Sequence, residues 1–170
     1  MAAMKSYLLS AFVRSHAHLD EEVYRQAEPN CWLVWEAGPW KPGGARTLTS
    51  FPKPASSPTP VPVAPGLEAL AYSLSPRDTA HDQVTLGRNA ICDIVINDGT
   101  ISMLHLVFVR ADAGWTVQDS GSRNGSALSG TALESGKPQK LITTARLTAG
   151  SVALSFYEPK DMLWRLKQYR

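Results

Sequence analysis

The sequence predicts a mainly β fold, an antiparallel β-sandwich with a short N-terminal extension and a C-terminal helix, on three observations. Apolar runs of strand length recur between turn residues through the second half of the chain. Within them, apolar residues alternate with polar or small ones, and no helix-period segment interrupts them before Pro159.

Asp20 to Glu28 begins with three acidic residues and stops before Pro29, which predicts a short helix with negative charge at its N-terminal end. Cys31 to Trp35 reads as a buried strand. Trp32, Trp35 and Trp40 give residues 1–50 large apolar surfaces but too little chain for a core, so this extension should pack on the later domain or on a partner. Phe51 to Gly66 holds six prolines, which favours extended polyproline conformation. Residues 51–66 therefore read as a semi-rigid linker, ahead of the alternative of a ligand for a proline-recognising module.

Residues 67–158 should form the sandwich, from strands at Leu67 to Ser73, Val84 to Leu86, Asp93 to Ile96, His105 to Arg110, Trp115 to Asp119, Lys140 to Thr143 and Ser151 to Tyr157. Trp115 and Val117 alternate with Thr116 and Gln118, and Val152, Leu154 and Phe156 alternate with smaller residues, as one buried face requires. Pro159 opens a helix over residues 159–170, with Met162, Leu163, Leu166 and Tyr169 on one stripe and Arg165, Lys167 and Arg170 elsewhere.

A chain of 170 residues accommodates one domain with an appendage more readily than two domains. Seventeen basic against fifteen acidic residues leave a formal charge of +2, too small to imply a nucleic-acid surface, so any phosphate recognition should be local. Apolar runs fall far short of the ~18 residues of a membrane helix, and the expected location is cytoplasmic, with no membrane partner. Cys31 and Cys92 form no CxxC pair and should be free thiols, although a bridge between them stays open. His16-Ala-His18 is too little for a metal site, so no metal is expected.

Gly87-Arg88, then Ser102 and His105, then Ser122-Arg123-Asn124-Gly125 fall where strands turn, and they describe three loops able to converge on one phosphate. An arginine fork grips phosphate oxygens, a serine hydroxyl donates to the same group, and Asn-Gly makes a tight turn. Gly87 and Gly125 mark positions where a side chain should crowd the turn, and Asn97-Asp98-Gly99 is a further turn. A competing reading pairs Arg88 with Asp93, and another assembles Ser102, His105 and Asp119 into a hydrolase triad; the second lacks a nucleophile elbow and a recognisable oxyanion loop.

Leu86 to Ile96, Ser102-Met103-Leu104-His105 and Asp119 to Ser126 together resemble a forkhead-associated (FHA) domain, over roughly Leu67 to Tyr157. The resemblance implies a phosphothreonine-peptide binding module, without catalysis or cofactor, whose partner is a phosphothreonine-containing protein such as a kinase or kinase substrate. By the same resemblance Arg88 and Ser102 meet phosphate, Asn124 meets the peptide backbone, Arg123 and Met103 lie beside the peptide, and His105, Gly87 and Gly125 support the loops. The chain departs from the family pattern at Met103 and Leu104, where polar or basic residues are common, at Ser126 for a frequent threonine, and at Ser129-Gly130 for a second Asn-Gly. Met103 removes a polar contact and shifts weight toward apolar peptide residues. The alternative is a phosphate-independent scaffold or homo-oligomer; phosphorylated Thr47, Thr49 or Thr59 acting as an internal ligand is a further reading.

Overall fold

The computed structural model describes residues 4–38, 68–76 and 82–169. The linker 51–66, Trp40, His81, Thr47, Thr49 and Thr59 lie outside the described residues.

The N-terminal elements are β1 (Ser6–Leu8), α1 (Leu9–His16), α2 (Glu21–Ala27) and β2 (Trp32–Trp35). Next come β3 (Leu70–Ser73), β4 (Gln83–Gly87), β5 (Ile94–Val95), β6 (Leu106–Ala111) and β7 (Gly114–Asp119). The remainder forms β8 (Ser126–Leu128), β9 (Thr131–Ala132), β10 (Gln139–Lys140), β11 (Arg146–Ala149), β12 (Val152–Tyr157) and α3 (Pro159–Gln168).

These strands form two sheets, ordered β1-β3-β2-β12-β11-β8-β9 and β10-β7-β6-β4-β5. The mainly β sandwich and its C-terminal helix are thus present; β4 and β5 pair in parallel, and the other strand pairs are antiparallel. Between the sheets lies one core, built from Leu33, Val84, Leu86, Ile94, Phe108, Val117, Leu147, Leu154 and Phe156 among others.

The four residues of β2 are all buried because both faces of this strand are covered. Leu33 and Trp35 enter the sandwich core, whereas Trp32 and Val34 face a second core with Leu9, Phe12, Tyr24, Met162, Leu163 and Leu166 from the three helices. Ala69 and Ala71 keep this outer face small enough for helices to approach. Residues 4–38 therefore supply two strands and two helices to one packed body, with β2 seated between β3 and β12.

Some elements differ from their sequence-based outlines. The helix expected over Asp20 to Glu28 spans Glu21–Ala27, with Glu21 and Glu22 in its first turn and Arg25 in its last. The strand expected at Asp93 to Ile96 shortens to Ile94–Val95, as the Asp93 carboxylate accepts from Thr85 N and Oγ1, both at 2.8 Å. The strand expected over Lys140 to Thr143 ends at Lys140, because Thr143 turns to the start of α3, where its Oγ1 accepts from Glu158 N and donates to Asp161 Oδ2. Tyr169, placed on the apolar stripe of the last helix, is instead its C-cap and 43% exposed. Cys31 and Cys92 form no disulfide, and burial pushes the Cys31 thiol up to about 11.

Candidate functional site

β4 ends at Gly87, and the next five residues lie against the loop after β5. A Cβ on Gly87 would stand 2.2 Å from Met103 O and 2.9 Å from Cys92 Sγ, so only glycine permits this approach. Backbone bonds stitch the loops together: Arg88 N donates to Ser102 O at 2.9 Å and Asn89 N to Met103 O at 3.1 Å. Cys92 Sγ adds a third bond to Met103 O at 3.3 Å. Arg88, half-buried at this seam, has its Nε buried without a hydrogen-bond partner. Asp93, the competing ion-pair candidate, is engaged by Thr85.

His105 ties in the third loop. Its Nδ1 accepts from Ser102 N at 3.0 Å, which leaves the proton on Nε2 to be donated to Gly125 O at 3.2 Å. The ring is fully buried, and burial lowers its pKa against the opposing pull of Gly125 O and Asp119, so the strut is neutral. Gly125 itself has open space where a side chain would sit; its glycine is required by φ +74° rather than by crowding.

Ser102 Oγ accepts from Arg123 N at 3.0 Å, and Asn124 Nδ2 donates to Thr100 O at 2.8 Å. Asp119 accepts from Ser122 N and Oγ at 2.8 and 2.6 Å and from Ser126 Oγ at 2.5 Å. Burial alone would raise the Asp119 pKa, but these bonds and nearby His105 together hold it below the usual carboxylate value. The serine at 126 thus has its own role under the third loop.

Arg88, Ser102, Met103, Arg123, Asn124, Gly87, His105 and Gly125 all lie in this one cluster of three loops. The triad geometry is absent among the described residues: His105 meets the Ser102 amide rather than its hydroxyl, and Asp119 bonds serines. His16 lies 3.4 Å from Glu28, and no metal-holding group of side chains exists among the described residues.

A residue that the motif reading passed over is Thr100. Its Oγ1 donates to Asp98 Oδ1 at 2.6 Å and accepts from Ser151 N at 2.9 Å, while its carbonyl holds Asn124. The Asn-Asp-Gly turn just before it was the available signal, since aspartate there commonly bonds the chain two residues on.

The family described as the inner membrane component of T3SS, cytoplasmic domain (Yop-YscD), matches residues 77–160. No curated protein matches the chain. Among solved structures, the N-terminal FHA domain of S. cerevisiae Rad53p, in complex with a phosphothreonine peptide, aligns with TM-score 0.50 at 18% identity, covering 80% of this chain and 98% of that one. An FHA domain of an Arabidopsis thaliana hypothetical protein gives 0.45 at 27% identity, over 53% and 73% of the two chains. The FHA domain of CT664 from Chlamydia trachomatis gives 0.45 at 21%, over 52% and 84%. Among the described residues no helix is long and apolar enough to cross a membrane. With two packed sheets and four fifths of its length matched by the Rad53p domain, this chain has the forkhead-associated fold.

Proposed function

We propose that this protein is a phosphothreonine-dependent interaction module that binds a phosphopeptide of a partner protein at the loop cluster, by recognition without chemistry. The observation that carries the reading is the buried, unpartnered Nε of Arg88, on a seam where Ser102 and Asn124 converge. An uncompensated guanidinium donor is costly to bury and fits a phosphate, which brings up to two charges and three acceptor oxygens. Arg88 and Ser102 serve the phosphate, Asn124 the peptide backbone through the amide oxygen left by its bond to Thr100, and Arg123 and Met103 the peptide flanks. His105, Gly87 and Gly125 hold the loops. The Rad53p domain, captured with a phosphothreonine peptide, supports the same reading. We expect a cytoplasmic site of action and a phosphothreonine-bearing partner.

The test is titration of phosphothreonine, phosphoserine and unphosphorylated peptide libraries into wild type and Arg88→Ala. Losing a charge-assisted bond of roughly 1.5 to 3 kcal/mol should weaken phosphothreonine binding at least about tenfold. Equal binding by the two proteins would sink the assignment. A second reading, a phosphate-independent assembly module, is favoured by the match to a T3SS component and by Trp164 on α3, 65% exposed. Light scattering showing a monomer at all concentrations would count against its self-assembling form.

A further inference from the structure

Three apolar side chains stand in solvent on the two loops that carry Arg88 and Ser102: Ile91 is 81% exposed, Met103 43% and Leu104 42%. The other large apolar side chains exposed among the described residues lie on other elements, so the loop pair holds a local concentration. These loops are clamped with their apolar groups outward. Met103 O is held by Asn89 N and Cys92 Sγ, Gly87 backs directly onto it, and Ile91 N is fixed by Asn89 Oδ1 at 3.1 Å. Within residues 87–92 and 100–105 the ionisable side chains besides the Cys92 thiol are Arg88 and His105, and His105 is buried and neutral. The surface that these two loops present beside Arg88 is therefore apolar, and the cluster's other cation, Arg123, stands on the third loop. A charged peptide residue laid there would lose water without gaining a partner, whereas an apolar one would gain buried area.

We propose that the phosphopeptide partner carries apolar side chains beside its phosphothreonine, seated on Ile91, Met103 and Leu104. This inference rests on the phosphothreonine reading and names the class of peptide that the same site selects. Met103 and Leu104 thereby add apolar contact to the charge-assisted bonds of the phosphate, so affinity comes from phosphate and flank together.

An oriented phosphothreonine peptide library, presented to the full-length chain, tests it. Wild type should enrich Leu, Ile, Val, Met or Phe over charged residues by roughly tenfold at a flanking position. Ile91→Ser with Leu104→Ser should flatten that selection while keeping discrimination of phosphothreonine from threonine. Ile91→Ser alone, at a side chain exposed enough to leave folding intact, should reduce the selection by a smaller factor. Phosphothreonine-dependent binding without apolar selection in wild type, or with selection unchanged in the double variant, overturns the inference and leaves the site assignment standing. A concentration-dependent dimer that Ile91→Ser dissolves also overturns it, by giving the patch to a second copy. If wild type fails to distinguish phosphothreonine from threonine, the phosphothreonine reading falls and this inference with it.

Discussion

The loop cluster and the helical layer each bury a carboxylate and leave a polar atom without a partner, and the difference between them separates a binding region from a sealed one. In the helical layer Glu28 is 3% exposed and is met by Lys5 Nζ at 2.9 Å to both oxygens and by His16. Its unpartnered atoms are neutral, Tyr24 Oη and Trp32 Nε1, set among rings such as Phe12, which packs 4.5 Å from Trp32. In the loop cluster the carboxylate, Asp119, is answered by neutral donors, and the unpartnered atom belongs to a cation on a half-buried loop. Charge is balanced inside the helical layer. In the loop cluster the Arg88 Nε is left without a partner, and an anionic ligand would complete it.

Phe12→Ala should have the largest effect on stability and none on recognition. Phe12 is fully buried in the second core, so truncation should cost about 3–5 kcal/mol in urea unfolding. Phosphopeptide affinity of the protein that remains folded should be unchanged. A matching loss of affinity would show that the two regions act as one and would break the comparison. Gly87→Ala crosses between them. Its Cβ meets Met103 O with no flexible side chain to yield, so a cost of about 1–3 kcal/mol should come with weaker peptide binding. Full stability with full binding would mean that the two loops are not held together here.

Arg88→Met sharpens the contrast in the opposite sense. Removing a buried donor that has no partner should leave the unliganded protein as stable as wild type, or stabilise it by up to about 1 kcal/mol, while phosphopeptide affinity falls. A clear loss of stability without ligand would mean that the guanidinium is already satisfied by the fold.

The site was more legible in the sequence than the helical layer, for a physical reason. Arg88, Ser102, His105 and Asn124 stand at the ends of strands, and strand ends are marked by residue types with special backbone or donor needs. Helix α1 carries no such mark: its N-cap is Leu8, no side chain caps it, and its first turn has no acidic residue. Strands β8, β9 and β11 have two to four residues, too few for alternation to stand out. The apolar run of β2 announced a strand, but its place between β3 and β12 depends on which faces other elements cover. Thr100 was hidden similarly, since its partners Ser151 and Asn124 come from distant turns.

The smallest predicted effect is a difference in pH response between the regions. His105 is neutral in the fold because burial lowers its pKa from 6.5, with Gly125 O and Asp119 opposing. Its contribution is therefore complete above 6.5 and is lost as the pH falls below that value toward the folded-state pKa. On the helical side, Glu36 is bound by Arg165 at 2.6 and 2.8 Å. Burial pushes the Glu36 carboxyl up, but Arg165 and Ser155 outweigh it and lower the pKa from 4.5, so that contribution persists above 4.5 and is lost only at lower pH. Between these values the loop cluster should loosen first. Hydrogen exchange at about pH 7 and about pH 5.5 should show faster opening at Ser102 N and Arg123 N, whose bonds meet at the Ser102 loop, with α3 unaffected. In His105→Gln the exchange of Arg123 N should lose this pH response after correction for intrinsic rates, because the variant has no imidazole to charge. If α3 opened first over this range, the buried imidazole would not be the most acid-sensitive strut in the molecule.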